Sequence, residues 1–291
     1  MKKLLLRHYL RLRYGFVRDK QRRRQLQESF RAALNERRFR KQKWGVSYSV
    51  FDGEELLEAS LRCIRPCVDY INVVWQQVSW YGAPVHEDLY PLLLRLKKEG
   101  LIDEIIEYKV NLKLKSIKNE TRKRNDGMKA ARKAGCTYFM SMDTDEFYKA
   151  AEVEEAKRYI VEKDITHSYC SQVIYGEQPT RIFDIPMCCC QFFSRLTPWS
   201  CHRNDPHSTA LVDPSRKMSH IPWYLGGSRH YFLHLVKMNH FSLIRKDLNR
   251  KYDNSSSADA REGGEYKLQL REWITCPDYF GLEEVMRHFH D

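Results

Sequence analysis

Strand and helix patterns alternate along residues 45–150, and this alternation constrains the fold more than any other feature of the sequence. Four short, largely apolar runs predict strands at residues 44–51, 70–75, 101–108 and 136–142. Amphipathic segments predict helices between them, at residues 54–64, 88–98 and 117–134. This order predicts an α/β fold with a mostly parallel sheet and helices on both faces, whose ligands bind beyond the carboxyl ends of the strands.

The pattern weakens after residue 150. Further helices are predicted at residues 152–162 and 242–252, and further strands at residues 166–175, 181–184, 189–194 and 233–238. Residues 197–229 are irregular, and residues 253–265 form a polar loop. We expect a basic helical arm at residues 1–44, followed by the two halves of one domain at residues 45–150 and 151–291.

Positive charge is concentrated in the first 45 residues, which carry 16 lysines and arginines against three acidic residues. The remaining chain has a net charge of −1. A basic helix with leucine and aromatic residues can lie on an anionic bilayer, so we expect residues 1–43 to contact such a surface. The alternative is a solvated helix that packs on its own domain through residues 26–34.

A different class of function is a nucleic-acid-binding protein whose basic arm neutralises phosphates. Proteins of that class more often carry their positive charge on the folded body, and the body of this chain is nearly neutral. The sequence has neither a P-loop nor a G-x-G-x-x-G dinucleotide motif. We therefore expect no nucleic-acid partner.

Apolar runs and cysteines bear on the cellular compartment. No apolar run approaches the roughly 20 residues of a spanning helix, and Arg7 interrupts the short run at residues 4–6. These patterns predict neither an integral membrane protein nor export by a signal peptide. The nine cysteines lack paired C-x-x-C motifs, which favours reduced thiols in the cytoplasm over zinc or disulfides.

The segment YFMSMDTDEF carries the sharpest chemical signal. A buried strand ends at Met142, and Asp143 and Asp145 follow it two residues apart. Both carboxylates can reach one hard divalent cation, and Mg²⁺ or Mn²⁺ held in this way can also bind a diphosphate. Acidic turns after strands are common, but a position at the end of the fourth parallel strand favours the functional interpretation.

These features resemble glycosyltransferases of the GT-A fold, most closely bacterial family 2-like enzymes that build lipopolysaccharide or capsule. The matching elements are the acidic turn FDGEE at residues 51–55, the helix RNDGMKAARKAG at residues 124–135 and the D-T-D after the fourth strand. The resemblance implies a Rossmann-like GT-A sheet, a nucleotide-sugar donor, Mn²⁺ or Mg²⁺, and a glycan or lipid-linked saccharide acceptor. It implies donor contacts from Asp52, Arg124 and Asp143.

A second block, HFSLIR at residues 240–245, resembles an H-x-S-x-x-R element found downstream in such transferases. The resemblance implies that Asp143, Asp145 and His240 are the metal ligands and that Arg245 lies within reach of the diphosphate. The alternative for His240 is an ordinary core histidine at a strand end. Residues 212–217, VDPSRK, also resemble a V-D-P-T-R segment of these enzymes, to which we assign no role.

The sequence departs from the family at the end of the second strand. Many family 2 enzymes have an acidic turn there that helps to hold the nucleotide, whereas this chain has WQQVSWYG at residues 75–82. Gln76 is the predicted donor contact at this point, since its amide can hydrogen-bond a base. Trp80 or Tyr81 can stack on the base, or they can simply pack in the interior.

An inverting transferase needs a general base for the acceptor hydroxyl, and a retaining one does not use a base in that place. Asp205 is the predicted catalytic base because it lies in an irregular polar loop between apolar strands; Asp184 and Asp213 are the other candidates. Asp205 can equally form an Asx turn before Pro206. The aromatic residues that can provide sugar platforms, or belong to the core, are Trp199, Trp223 and Tyr224.

The arm, the cysteines and the resemblance together predict a location. We expect a peripheral enzyme on the inner face of the bacterial cytoplasmic membrane, next to a lipid-linked acceptor.

Overall fold

The computed structural model describes residues 2–176, 181–183, 189–203, 213–219 and 230–254. The chain divides into two compact units, Met1–Gln42 and Lys43–Asp291. The predicted base Asp205 and the candidates Asp184, Trp223 and Tyr224 lie outside the described residues.

The first unit consists of two helices, α1 at Lys2–Tyr14 and α2 at Lys20–Phe39. Asp19 precedes α2, and its side chain accepts a hydrogen bond from the backbone nitrogen of Arg22 at 2.8 Å, which caps the helix. The ring of Phe30 on α2 lies 5.5 Å from that of Tyr9 on α1. A basic N-terminal helical arm is therefore present, as the sequence predicts.

The second unit is built on a large, mostly parallel sheet. Its strands are β1 (Trp44–Val50), β2 (Tyr70–Trp75), β3 (Glu104–Glu107), β4 (Tyr138–Met142), β5 (Glu146–Phe147), β6 (His167–Gly176), β7 (Arg181–Phe183), β8 (Cys189–Arg195) and β11 (His230–His240). The strand order is β3-β2-β1-β4-β8-β6-β11-β5, with β7 paired to β6. Two short strands, β9 (Cys201–His202) and β10 (Met218–Ser219), form a separate antiparallel pair.

Four strands at one side of this sheet, β3, β2, β1 and β4, are mutually parallel. Strand β8 runs antiparallel to both β4 and β6, whereas β6 and β11 are parallel. In register, Val50 pairs with Trp75, and Tyr48 pairs with Met142. The ends of β1, β2 and β4 therefore meet at one edge, where a site in such a sheet forms.

Helices cover both faces of the sheet. They are α3 (Glu54–Ile64), α4 (Leu89–Lys98), α5 (Ser116–Lys133), α6 (Ala150–Lys163) and α7 (Leu248–Asn254). Tyr48 on β1 hydrogen-bonds Ser60 on α3 at 2.8 Å, while the neighbouring Ser47 packs against Gly127 on α5. Successive side chains of a strand point to opposite faces, so α3 and α5 lie on opposite sides.

The contact between α5 and the sheet requires a glycine. A Cβ atom at Gly127 would overlap the hydroxyl of Ser47. That hydroxyl donates to Asn72 Oδ1 at 2.7 Å, and the Asn72 amide donates to the Gly127 carbonyl at 2.9 Å. These buried bonds hold α5 close against β1 and β2, which fixes Lys123 and Arg124, one turn earlier in the helix, beneath the edge of the sheet.

The predicted fold class, a mostly parallel Rossmann-like sheet of GT-A type with helices on both faces and a basic helical arm, is confirmed. Most predicted elements lie within two residues of those observed. The predicted helix at residues 242–252 is wrong at its start, because α7 begins only at Leu248. The segment before it is a turn, in which the Ile244 backbone nitrogen donates to the Phe241 carbonyl at 3.0 Å. The division of the domain at residue 150 stays a prediction.

The described cysteines are free thiols: Cys63, Cys67, Cys136, Cys170, Cys189, Cys190 and Cys201. Among the described residues, no helix combines the length and the apolar character needed to cross a membrane.

Candidate functional site

Asp143 and Asp145 follow β4 directly, at the edge where β1 and β2 also end. The Asp145 carboxylate is buried, whereas the Asp143 side chain is 32% exposed. Between them, the Thr144 hydroxyl donates to the Asp52 carbonyl at 3.2 Å, which ties the acidic turn to the end of β1. The two carboxylates therefore occupy different environments although they are two residues apart.

His240 reaches Asp145 through strand pairing. The short strand β5 pairs antiparallel with β11, so that His240 lies opposite Glu146. As a result, His240 Nε2 lies 3.6 Å from Asp145 Oδ1. The other ring nitrogen, Nδ1, contacts the side-chain amide of Gln172 on β6, which fixes the orientation of the ring.

Two cations bind the other oxygen of the same carboxylate. Arg245 Nη2 donates to Asp145 Oδ2 at 2.8 Å, and the Lys251 ammonium donates to it as well. Burial alone would raise the pKa of Asp145, but Lys251, Arg245 and His240 more than offset this and hold the pKa well below its usual range. Asp145 is therefore ionised, with Oδ1 directed at His240 and Oδ2 at the two cations.

Arg245 is incompletely satisfied. Its Nη2 binds Asp145 and Thr144, but its Nε and Nη1 are buried without a hydrogen-bond partner among the described residues. A buried guanidinium with two free donors is costly unless a further acceptor arrives, and an anion such as a phosphate supplies one.

Asp143 belongs to a second cluster of charges. Arg124 Nη2 lies 3.1 Å from its carboxylate and Arg216 Nη2 lies 2.5 Å from it. Burial raises the pKa of Asp143, and these two arginines outweigh that effect, so the pKa lies below its usual range. Arg216 also pairs with the buried Glu146, whose pKa burial raises. Asp143 is thus held by two arginines from distant parts of the chain.

The VDPSRK segment supplies this second cluster. Asp213 accepts a hydrogen bond from the Ser215 backbone nitrogen at 2.8 Å and caps a short 3₁₀ helix, Pro214–Arg216. This turn directs Arg216 at Asp143, and Ser215 Oγ accepts from Arg124 at 3.2 Å. Asp213, a candidate base by sequence, acts here as a cap. Sequence reasoning singled out the segment but missed Arg216.

Gln76, which is predicted to contact the nucleotide base, is buried at the end of β2. Its amide nitrogen donates to the Val78 carbonyl at 2.9 Å, and its oxygen accepts from the Lys123 ammonium at 2.9 Å. Lys123 also donates to the Val50 carbonyl at 2.8 Å, and burial lowers its pKa to about 7. Sequence reasoning missed Lys123, whose ammonium ties the Gln76 side chain to the end of β1.

The aromatic residues beside Gln76 differ in exposure. Trp80 is half-buried, and its ring lies edge-on to Tyr108 at 6.3 Å and 5.5 Å from the Lys123 ammonium. Tyr81 is 45% exposed. Trp80 is thus a packing residue of the described structure, while the Tyr81 ring is open to solvent.

Asp52 follows β1 and lies close enough to Arg245 to favour its charged form. It lines a pocket of about 450 Å³ together with Gly53, Glu55, Arg245 and Lys251. The predicted residues Asp52, Asp145, His240 and Arg245 are therefore brought together, and Arg124 and Asp143 lie beside them. Gln76 lies at the neighbouring strand end, bonded to Lys123 next to Arg124 in the chain.

Asp145 Oδ1 and His240 Nε2 fit two ligands of one divalent cation. Metal–ligand bonds of about 2.1 Å place neighbouring ligand atoms about 3 to 3.5 Å apart, which is close to the separation of these two atoms. Among the described residues, no group of three or more His, Cys, Asp or Glu side chains converges to form a closed metal cage. Sites that take substrate phosphates commonly use only one or two protein ligands.

No family model and no curated protein matches this chain. Among solved structures, the chain is similar to S. aureus TarS 1–349, at 12% identity over 50% of this chain and 39% of that one, with a TM-score of 0.36. The same protein was solved in complex with UDP-GlcNAc, and the TM-score to that structure is 0.35. The chain is also similar to GalNAc-T7 with UDP, GalNAc and Mn²⁺, at 11% identity over 85% of this chain and 58% of that one, with a TM-score of 0.43. The chain spans about two fifths of the length of TarS 1–349.

Proposed function

We propose that this chain is a glycosyltransferase that transfers a sugar from a nucleotide-diphosphate donor to a glycan or lipid-linked acceptor. The observation that carries the proposal is the cluster around Asp145. There, a carboxylate–imidazole pair lies beside a guanidinium, two of whose nitrogens have no partner in the described part of the chain. The carboxylate–imidazole pair fits a divalent cation, and the guanidinium fits a phosphate. A nucleoside diphosphate with its bound cation would occupy both positions at once.

Asp145 and His240 are the side chains that would hold the cation, with Asp143 the further ligand predicted from the D-x-D motif. A mixed carboxylate and imidazole set favours Mn²⁺ over Mg²⁺, since imidazole is a poor ligand for the harder ion. When bound, the ion supplies Lewis-acid stabilisation of the departing diphosphate.

The cations around Asp145 have a direct role in binding the donor. Arg245 Nε and Nη1, which have no hydrogen-bond partner among the described residues, would donate to a phosphate oxygen, and Lys251 adds a second positive charge at the same carboxylate. Arg124 and Arg216 hold the Asp143 carboxylate in place and ionised. The leaving diphosphate is therefore met by fixed positive charge, which stabilises the charge that develops in the transition state.

The acceptor side of the reaction rests on the sequence. Asp205 is the proposed base of an inverting reaction, removing the proton of the acceptor hydroxyl as it attacks the anomeric carbon. Synthesis of a bacterial surface polysaccharide, with the arm on the inner face of the cytoplasmic membrane, is the setting that we propose. The arm supports this setting because it combines basic residues with exposed apolar side chains such as Leu12 and Phe16.

Donor turnover by the full chain tests the proposal. The protein is incubated with a panel of nucleotide sugars and Mn²⁺, and release of the nucleoside diphosphate is measured. Asp145→Asn should lower turnover at least a hundredfold, whereas Glu162→Gln, the same loss of charge at an exposed pair with Lys163, should leave it unchanged. Turnover by Asp145→Asn at the wild-type rate, with the same metal dependence, would overturn the proposal.

A further inference from the structure

A second groove lies along the outer side of α5, away from the D-x-D site. It has a volume of about 870 Å³ and is lined by α5, by the residues after β3 and by the loop at residues 198–201. The side chains that matter are Lys109, Arg122, Lys129, Arg132 and Trp199. We call this set the α5 groove.

The groove is separate from the donor site because α5 presents different residues in different directions. Successive residues of a helix point about 100° apart. Lys123 points to Gln76 and Arg124 to Asp143, while Arg122 lines the groove. The groove shares no lining residue with the pocket beside Asp145.

Positive charge is in excess in the α5 groove. Four lysines and arginines line it against one acid, Asp126, which is already paired with Lys129 at 2.9 Å. Within the described part of the chain, the side chains of Arg122 and Lys109 form no hydrogen bond or ion pair. The groove therefore has cationic donors that are available to an anion.

Arg132 adds a buried donor that is unpaired within the described structure. Its Nη2 donates to the Ser200 carbonyl at 2.5 Å, which fixes the guanidinium against the loop. Its Nε is buried and has no hydrogen-bond partner among the described residues. A fixed guanidinium with an unsatisfied donor is a preorganised contact for a carboxylate or phosphate oxygen.

Trp199 supplies a flat apolar surface beside these cations. Its side chain is 68% exposed, an unusual state for the largest apolar residue. The loop that carries it is ordered by hydrogen bonds, from the Thr197 backbone to Ser200 Oγ at 2.9 Å and from the Trp199 backbone to Thr197 Oγ1 at 3.3 Å. The ring is thus held outward by its loop, where the apolar face of a sugar ring can stack on it.

We propose that the α5 groove binds an anionic saccharide, with a sugar ring on Trp199 and its carboxylate or phosphate on Arg122 and Arg132. The combination decides the class of ligand, since an inorganic anion does not need the indole and a neutral sugar does not need four cations. The inference does not depend on the proposed function. In a transferase, this groove would hold a part of the glycan that is remote from the reacting hydroxyl.

Binding of defined saccharides to the full chain tests the inference. The probes are tetragalacturonate and mannose 6-phosphate, with maltotetraose as the neutral counterpart and a single-stranded thymidine oligonucleotide as the competing polyanion. Affinity is measured by calorimetry and by quenching of tryptophan fluorescence. We expect at least one anionic saccharide to bind with a Kd on the order of 1 mM or lower, and at least tenfold more tightly than maltotetraose. High salt should weaken this binding.

Two variants locate the site and one controls for charge. Arg122→Gln and Trp199→Ala should each weaken binding of the anionic saccharide at least fivefold. Lys98→Gln removes one charge from an exposed position of α4 that does not line the groove, and it should leave the affinity unchanged. All three residues are at the surface, so their melting temperatures should stay close to that of the wild type. Asp145→Asn should keep saccharide binding, which separates this test from the test of donor turnover.

The remaining outcomes count against the inference. It is overturned if neither anionic saccharide binds, if maltotetraose binds equally well, or if Arg122→Gln and Trp199→Ala bind like the wild type. Tighter binding of the oligonucleotide, lost in the same two variants, would assign the groove to nucleic acid instead.

Discussion

The guanidinium of Arg245 occupies the space that a side chain at Gly53 would fill. A Cβ atom at Gly53 would overlap Arg245 Nη1 and the Thr144 hydroxyl, and Gly53 has a φ of +79° at the start of α3. The glycine of the acidic turn therefore serves two purposes. It allows the left-handed turn into α3, and it leaves room for the arginine that binds Asp145.

Gly53→Ala should displace Arg245 and lower donor turnover at least tenfold. Gly100→Ala is the matched control, because Gly100 has the same φ of +79° but a Cβ atom added there would meet nothing within 4 Å. The left-handed backbone should cost each variant about 1 kcal/mol of unfolding free energy. Gly53→Ala should lose more than this, because the buried Arg245 must also move. Only Gly53→Ala should lose activity, as measured by donor turnover; equal activity of the two variants would contradict the assigned role of Arg245.

Lys251→Met should change metal and donor affinity in opposite directions. Lys251 contributes a positive charge at Asp145 Oδ2, which repels a divalent cation on the same carboxylate and attracts a diphosphate. Removing the charge should strengthen Mn²⁺ binding to the free protein and raise the KM for the donor. Mn²⁺ titration without donor, followed by steady-state kinetics, measures the two effects. A parallel change in both affinities would show that Lys251 does not act through its charge.

The two motifs of the site could be predicted from the sequence because each is a continuous run of residues. D-T-D at residues 143–145 and H-x-S-x-x-R at residues 240–245 each contain their own spacing, and a strand end predicts where they lie. Lys123 and Arg216 were not predicted as site residues. Their partners, Gln76 and Asp143, lie 47 and 73 residues away in the chain, and only the fold brings them together.

The error at residues 242–252 has a physical cause. The apolar spacing there favours a helix, but residues 241–247 instead form the turn that carries Arg245 to the buried Asp145. The pairing of β5 with β11, which places His240 beside Asp145, involves only two residues of β5 and leaves no periodic signal. Long periodic elements such as α3 and β2 were predicted at their observed limits.

Arg216→Met should destabilise the folded state by about 3 to 5 kcal/mol, because it leaves a buried carboxylate without its cation. The buried ion-pair partner of Arg216 is Glu146. Its side chain is 1% exposed, and one of its oxygens has no hydrogen bond among the described residues. Adding Glu146→Gln to Arg216→Met should recover part of the loss, since the amide carries no charge. Urea unfolding of the two variants measures this. Equal stability of the single and double variants would indicate that Glu146 is already neutral.

His202 should make the protein sensitive to moderate acid. Burial, and then the nearby Arg124, lower the pKa of His202 to about 3, and its Nδ1 contacts the Arg216 carbonyl at 3.1 Å. Below about pH 6.5 the unfolded chain binds a proton at this histidine that the folded state does not, so stability falls as the pH falls towards 3.

Between pH 8 and pH 5 this loss amounts to about 2 kcal/mol. His202→Asn keeps a donor for the Arg216 carbonyl and cannot titrate, so the variant should lose about 2 kcal/mol less than the wild type over that range. Urea unfolding at pH 8, 6.5 and 5 measures the difference. The same pH dependence in both proteins would show that His202 is protonated when folded.

The last prediction concerns the arm at residues 1–43. Its exposed apolar side chains include Leu12, 72% exposed, and Phe16, 91% exposed at the turn between α1 and α2. Basic side chains surround them, and each Lys or Arg near an anionic bilayer contributes about 1 kcal/mol of attraction. Charge should bring the arm to the surface, and Phe16 and Leu12 should then insert between the headgroups.

Full-length protein should therefore co-sediment with vesicles that contain anionic lipid, and it should be released by high salt. Replacing both Leu12 and Phe16 with serine should weaken this binding without changing the charge. Leu94→Ser, at an apolar residue of α4 that is 49% exposed, is the matched control and should bind like the wild type. Neutral vesicles should not retain any of these proteins. If the double variant binds anionic vesicles as tightly as the wild type, the apolar residues do not insert, and retention by RNA under the same salt would assign the arm to nucleic acid.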